Sequence, residues 1–161
     1  MTQRHPLPLF HSWPVFDAAA RMDLRQLRAI CDDELAPSMT DDPPTDRSIG
    51  VWRCDLADET LVWTQAVYDL FGFPADQPLI RAQTLDCYTE HSRAEMAALR
   101  THAIRHQRGF TLDAQIRRPN GDRRWMRLSA LPILQCNKVV RLCGTKQDVT
   151  DLYDGTGWRA V

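Results

Sequence analysis

The spacing of apolar positions changes several times along this chain, and each change marks an element. From Asp17, a residue type that caps helices, Ala20, Leu24, Leu27, Cys31 and Leu35 recur on one helical stripe, which predicts an amphipathic helix over 17–35. Before it, residues 1–16 mix Pro6, Pro8 and Pro14 with Phe10, Trp13 and Phe16. That segment is too proline-broken for a regular helix and too aromatic for a solvated tail. After it, residues 36–48 (APSMTDDPPTDRS) have no apolar period and read as a linker. Trp52, Cys54 and Leu56 then alternate with Arg53 and Asp55, predicting a half-buried strand, with a turn at 57–59 and a second short strand at Leu61–Trp63.

Between Gln65 and Glu90 the pattern predicts short helices broken at Gly72, Pro74 and Pro78. Such irregular stretches often border ligands. A longer helix follows from about Ser92 to Gln107, with Met96, Ala97, Leu99, Ala103 and Ile104 on one face. Arg100 interrupts that apolar arc. Phe110, Leu112, Ala114 and Ile116 then alternate with polar residues over a strand. Asn120-Gly121 supplies residues that tolerate the positive φ of a type I′ hairpin. In the strand at 123–131, Met126, Leu128 and Ala130 face one way and Trp125, Arg127, Ser129 and Leu131 the other. A last strand spans 139–149. Two strands, helices, then three strands is an α+β order, for which helices on one side of an antiparallel sheet are the natural packing.

With 161 residues, 43% of them hydrophobic and 25% charged, the chain is expected to fold around one core. A formal charge of −1 offers no broad field for nucleic acid or an anionic membrane, so neither is expected as a partner. No apolar run approaches the ~20 residues of a membrane span, and the N-terminus lacks the pattern of a secretory signal. The expected location is therefore the cytoplasm. Cys31, Cys54, Cys87, Cys136 and Cys143 form no CxxC and no zinc-type spacing with histidine. No metal is expected, and the cysteines read as buried free thiols.

Several motifs resemble the PAS domain family, in particular the subclass common in bacterial sensor kinases and cyclic-dinucleotide enzymes. Gly50-Val51-Trp52-Arg53-Cys54-Asp55-Leu56 is similar to its opening G-x-W-x-x-D strand. Leu61-Val62-Trp63-Thr64 and Leu70-Phe71-Gly72-Phe73 are similar to its second strand and first helix. The most specific match is Gly109-Phe110 through Arg117-Arg118-Pro119-Asn120-Gly121-Asp122-Arg123-Arg124-Trp125, which resembles the family's G-x-F … R-x-x-x-x-G-x-x-R-W hairpin. Gly144 and Asp148-Val149-Thr150 resemble the end of the domain, where an Asp-Ile-Thr motif leads into output segments. One departure is His91-Ser92-Arg93, where the family carries His-Pro-Asp-Asp.

The resemblance implies a PAS fold over 49–150: a five-stranded antiparallel sheet with short helices and one longer helix on one side, preceded here by the amphipathic helix. The eleven residues of 151–161 are too few for an output domain. Regulation of a separate signalling protein, such as a histidine kinase or cyclic-dinucleotide enzyme, is the expected role, without catalysis.

A small apolar ligand would be lined by Trp52, Cys54, Phe71, Met96, Leu99, Phe110, Leu112, Ala114, Met126 and Leu128. The competing reading is that these side chains simply fill the core. A cofactor-bearing sensor is the alternative. Haem would use His102 or His106, which fall at or beyond the margin of the apolar helix face. Flavin would use Cys87, which stands in Leu85-Asp86-Cys87-Tyr88 without the Asn, Arg and Gln that hold the isoalloxazine in the light-sensing branch. A Cys87/His91 enzyme is a third reading, lacking an orienting group. The stripe of Leu24, Leu27, Cys31 and Leu35 needs a covering surface, either Trp125 and Leu131 in the same chain or a second copy in a homodimer. Asp148 and Thr150 complete the candidate signalling residues.

Overall fold

The computed structural model describes residues 49–153; the N-terminal segment, the amphipathic helix and the linker lie outside them. Within this range the order is β1 (Ile49–Asp55), β2 (Leu61–Trp63), α1 (Gln65–Phe71), α2 (Arg81–Asp86), α3 (Glu90–His106), β3 (Phe110–Arg117), β4 (Arg123–Gln135), β5 (Lys138–Asp148) and α4 (Thr150–Tyr153). The strands form one antiparallel sheet in the order β2-β1-β5-β4-β3. The last strand in sequence thus lies at the centre, beside the first.

Alternation along the strands divides the sheet into two faces. Trp52, Cys54, Phe110, Leu112, Ala114, Ile116, Met126, Leu128, Ala130 and Leu142 pack with Val67, Phe71, Tyr88, Met96 and Leu99 in the main core under the helices. Ile49, Val51 and Cys143, flanked by Leu131 and Ile133, form a smaller cluster on the other face. Two glycines permit close approaches. A Cβ on Gly144 would lie 2.0 Å from the Ser129 carbonyl oxygen, and one on Gly50 would lie 2.4 Å from Val67 Cγ2. Only hydrogen lets β5 close on β4 and α1 settle on β1.

Helix ends follow the local chemistry. Gly72 takes φ +70° beyond α1 and donates its N–H to Asp69 O. The Arg118 guanidinium donates to Leu70 O at 2.9 Å and Asp69 O at 3.1 Å, so a residue of the β3–β4 loop caps this helix. At the head of α3, buried Ser92 accepts the Gln115 N–H at 2.8 Å, and Thr89 N–H donates to Gln115 O. With the Tyr88–Ile116 bridge, these bonds cover the open edge of β3.

The two hairpins reverse a sequence expectation. Asn120-Gly121 is not a type I′ turn, because Gly121 alone has positive φ there. The loop runs from Arg118 to Asp122, closed by Gly121 N–H to Arg118 O, with the Asn120 side chain accepting the Asp122 N–H. The two-residue turn with both φ positive is Cys136-Asn137, at +50° and +61°. It tightly joins β4 to β5, which makes β4 longer than its apolar alternation indicated. Among the cysteines of the described residues, Cys54 and Cys87 are buried and free, Cys136 is free but exposed in the β4–β5 turn, and Cys143 is disulfide-bonded, correcting the expectation of a buried free thiol at Cys136 and at Cys143.

Candidate functional site

Between the inner face of the sheet and helices α2 and α3 lies a cavity of about 50 Å³. Five residues anticipated from the sequence, Trp52, Cys54, Met96, Phe110 and Leu128, stand on its wall. Phe71, Leu99, Leu112, Ala114 and Met126 belong to the same core without lining it. Leu61, Leu85, Tyr88 and Leu142 complete the apolar wall. Four further wall residues are polar or charged: Arg81, Thr84, Arg100 and Lys146. The space is small and basic, rather than large and purely apolar.

Lys146 is the least expected of these. It is only 7% exposed, on the central strand. Its Nζ lies 4.8 Å from the Phe71 ring centroid, 5.1 Å from Trp63 and 5.3 Å from Trp52, within the range where ring faces attract a cation. No carboxylate among the described residues pairs with it. Burial pushes the ammonium down to about 7, with Arg81 acting in the same direction and the Cys54 and Cys87 thiols opposing. The ring faces also favour the charged form. Burial raises the Cys54 thiol, while Arg100 and Arg81 partly counter it. Burial likewise raises the Tyr88 hydroxyl.

Arg81 and Arg100 close the cavity from α2 and α3. Both reach Glu59 in the β1–β2 turn, Arg81 at 3.3 Å and Arg100 at 3.4 Å. Glu59 is half-exposed and holds a positive φ of 58°, so one surface carboxylate gathers two cavity-lining cations. Arg100 was visible in the sequence as a break in the apolar arc of α3. Lys146 was missed: its one signal is that it shares the pleat parity of Leu142 and Gly144, and a charged residue in a strand suggests solvent rather than core. Arg81 gave no local signal.

The cofactor alternatives do not fit these residues. A 50 Å³ space is far below the roughly 300–1,000 Å³ of pockets that hold drug-sized ligands, and haem or flavin is as large as those or larger, so only a ligand of a few atoms fits. His102 and His106 lie side by side with ring centroids 4.4 Å apart, and neither is on the cavity wall. Cys87 donates to Gln83 O and lines a separate surface groove of about 440 Å³ beside Phe73, Asp86 and Arg117. The Cys87/His91 pairing is not built either, because the exposed His91 imidazole meets Glu95 at 3.2 Å. Among the described residues there is no cluster of metal-ligating side chains.

The outer face carries the remaining candidates. Thr150 Oγ1 donates to Asp148 and accepts the Trp125 N–H at 3.0 Å, while its own N–H donates to Asp148 at 2.9 Å. This double link fixes the turn from β5 into α4. Trp125 stacks on Tyr153 at 4.2 Å, and the Tyr153 hydroxyl donates to Asp113, which also receives a two-pronged bond from Arg127 at 2.8 and 2.9 Å. Burial, then the Asp113 bond, raises that hydroxyl to about 12. Trp125 is therefore covered by α4, while Leu131 stays with the small outer cluster. Leu24, Leu27, Cys31 and Leu35 lie outside the described residues.

No family model and no curated protein matches the chain. Solved structures do. An RNA-binding Light-Oxygen-Voltage receptor superposes with a TM-score of 0.59 at 19% identity over 71% of this chain, which spans only 32% of that receptor. The N-terminal domain of a diguanylate cyclase with a PAS/PAC sensor from Marinobacter aquaeolei gives 0.60 at 11% identity, covering 65% of this chain and 98% of that one. A PAS domain from Colwellia psychrerythraea gives 0.56 at 17% identity, covering 80% and 99%. The sheet order, with α1, α2 and α3 on its inner face, is thus that of the PAS fold.

Proposed function

We propose that this chain, having the PAS fold of sensory domains, works as a non-catalytic regulator that binds a small ligand in the inner cavity and acts on a separate signalling protein. A histidine kinase or a cyclic-dinucleotide enzyme is the class of partner favoured. The observation that carries the reading is the cavity's construction: it is walled by the central strands and closed by two arginines from different helices, both drawn to Glu59. A ligand that competes with Glu59 changes how α2, α3 and the β1–β2 turn hold together, and the sheet transmits that change to its outer face. The Asp148–Thr150 link and the Trp125–Tyr153 stack stand at the exit of the sheet, where such a change would be read.

Native mass spectrometry of the full chain purified from its own cell extract, joined to capture of candidate kinases and cyclases with and without that extract's small molecules, tests the proposal. A retained small molecule that alters capture of one such enzyme is the expected result. Ligand-free protein that captures none of them under either condition would overturn it. The chain is also expected to self-associate through the amphipathic helix that the sequence predicts over 17–35.

A further inference from the structure

Lys138 and Lys146 are the two lysines of a chain that otherwise uses arginine for its permanent positive charge. Lys138 is exposed at the start of β5. Lys146 is buried, held between three aromatic faces, and lines the inner cavity. No acidic residue lines that cavity, and Glu59 reaches only the arginines. A primary amine desolvated among rings and beside other cations is the environment that turns lysine into a nucleophile, because the charged form loses its hydration.

We propose that Lys146 captures a small oxo-carboxylate, an aldehyde or ketone bearing one carboxylate, as a reversible Schiff base, with Arg81 and Arg100 receiving the carboxylate. This rests on reading the inner cavity as the ligand site. The Nζ lone pair attacks the carbonyl carbon and forms a C–N bond, while the carbonyl oxygen takes a proton to give the carbinolamine. The proton comes from the attacking nitrogen, whose second proton then joins the hydroxyl, so that the C–O bond breaks, water leaves and the nitrogen lone pair closes the C=N bond. One amine and one carbonyl thus yield one imine and one water, with no change of oxidation state, and hydrolysis restores the lysine. The rings that face the ammonium also face the protonated imine. A cavity of about 50 Å³ holds on the order of three or four waters, the scale of a ligand with a handful of non-hydrogen atoms. Burial, which brings the amine to about 7, leaves a share of it unprotonated near neutral pH. The ligand carboxylate replaces Glu59 as the partner of both arginines, linking capture to release of the β1–β2 turn.

The test is to incubate the full chain at neutral pH with pyruvate or glyoxylate and cyanoborohydride, which reduces an imine to a stable amine, and to map the modified peptides. A saturable adduct at Lys146, well above that at Lys138 and the N-terminal amine, is expected. Arg100→Gln should raise the half-saturating concentration roughly tenfold for the oxo-carboxylates, the effect of one lost charge-assisted hydrogen bond, and raise it much less for neutral acetaldehyde, which has no carboxylate to place. Lys146→Arg should abolish the internal adduct. Labelling confined to Lys138 and the N-terminus, or spread equally over all three amines, would overturn the proposal, and this comparison within the unmodified protein stands even if a variant fails to fold. Ligand-dependent capture of a signalling enzyme without any Lys146 adduct would overturn the imine and leave the regulatory role. An adduct without such capture would support the imine and count against that role.

Discussion

The cation at Lys146 reports its own cost through its proton. Below about pH 7 the ammonium is charged in both the folded and unfolded states, and the full penalty of burying it is present. Between about 7 and its ordinary 10.5 the unfolded chain keeps a proton that the folded chain has released. Stability therefore rises with pH across that window. Lys146→Met, which keeps an unbranched side chain one atom shorter and removes the charge, should be more stable than the unmodified protein at pH 6.5 by about 1–3 kcal/mol. Urea titrations at several pH values should show that gap closing toward pH 10; a constant gap would mean the lysine does not lose its proton on folding. Gly144 makes the opposite demand. Its Cβ position lies 2.0 Å from a backbone oxygen that cannot move without opening β4 from β5. Gly144→Ala should lose about 3 kcal/mol or more, read as a lowered urea midpoint. The sequence shows a glycine at 144 and a lysine at 146; that one meets a carbonyl and the other a ring cage depends on β1 and β4 flanking β5.

At the scale of elements, strand alternation was the most legible signal and turn chemistry the least. Phe110–Ile116 and Met126–Ala130 fall on the core face as their period of two requires. The I′ turn, however, formed at Cys136-Asn137 instead of Asn120-Gly121. At the first loop, Arg118 is drawn away to cap α1, and the Asn120 side chain serves the Asp122 N–H, so a longer loop satisfies more backbone groups than a two-residue turn. Asn137→Gly places the residue most tolerant of positive φ at the second turn position. It should raise stability by about 0.5 kcal/mol, seen as a small increase in melting temperature. At the other end of β5, Thr150→Val removes the hydroxyl that both donates to Asp148 and accepts from Trp125. A loss of about 1–2 kcal/mol is expected, together with a changed Trp125 emission as its stack on Tyr153 loosens; an unchanged urea midpoint would argue that the link is ornamental.

For the whole molecule, the stripe of Leu24, Leu27, Cys31 and Leu35 leads to a further expectation. Sedimentation of the full chain should show a two-copy species, and Leu27→Asp should shift it to one copy, since a charge on the stripe cannot be desolvated cheaply. A single-copy species before mutation would place the helix on its own chain. Local periodicity and short-range backbone chemistry were enough for the order of the elements within 49–150, for the inner and outer faces of β3 and β4 and, through the motifs at Gly50–Leu56, Gly109–Trp125 and Asp148–Thr150, for the type of fold. Half of the anticipated lining was legible for the same reason: Trp52, Cys54, Met96, Phe110 and Leu128 are apolar residues at inward positions. The size and charge of the cavity follow from packing alone. Lys146, Arg81, Arg100 and Glu59 come from a central strand, two helices and a turn far apart in the chain, and whether such groups face solvent, each other or an enclosed space is settled only when the sheet and helices pack.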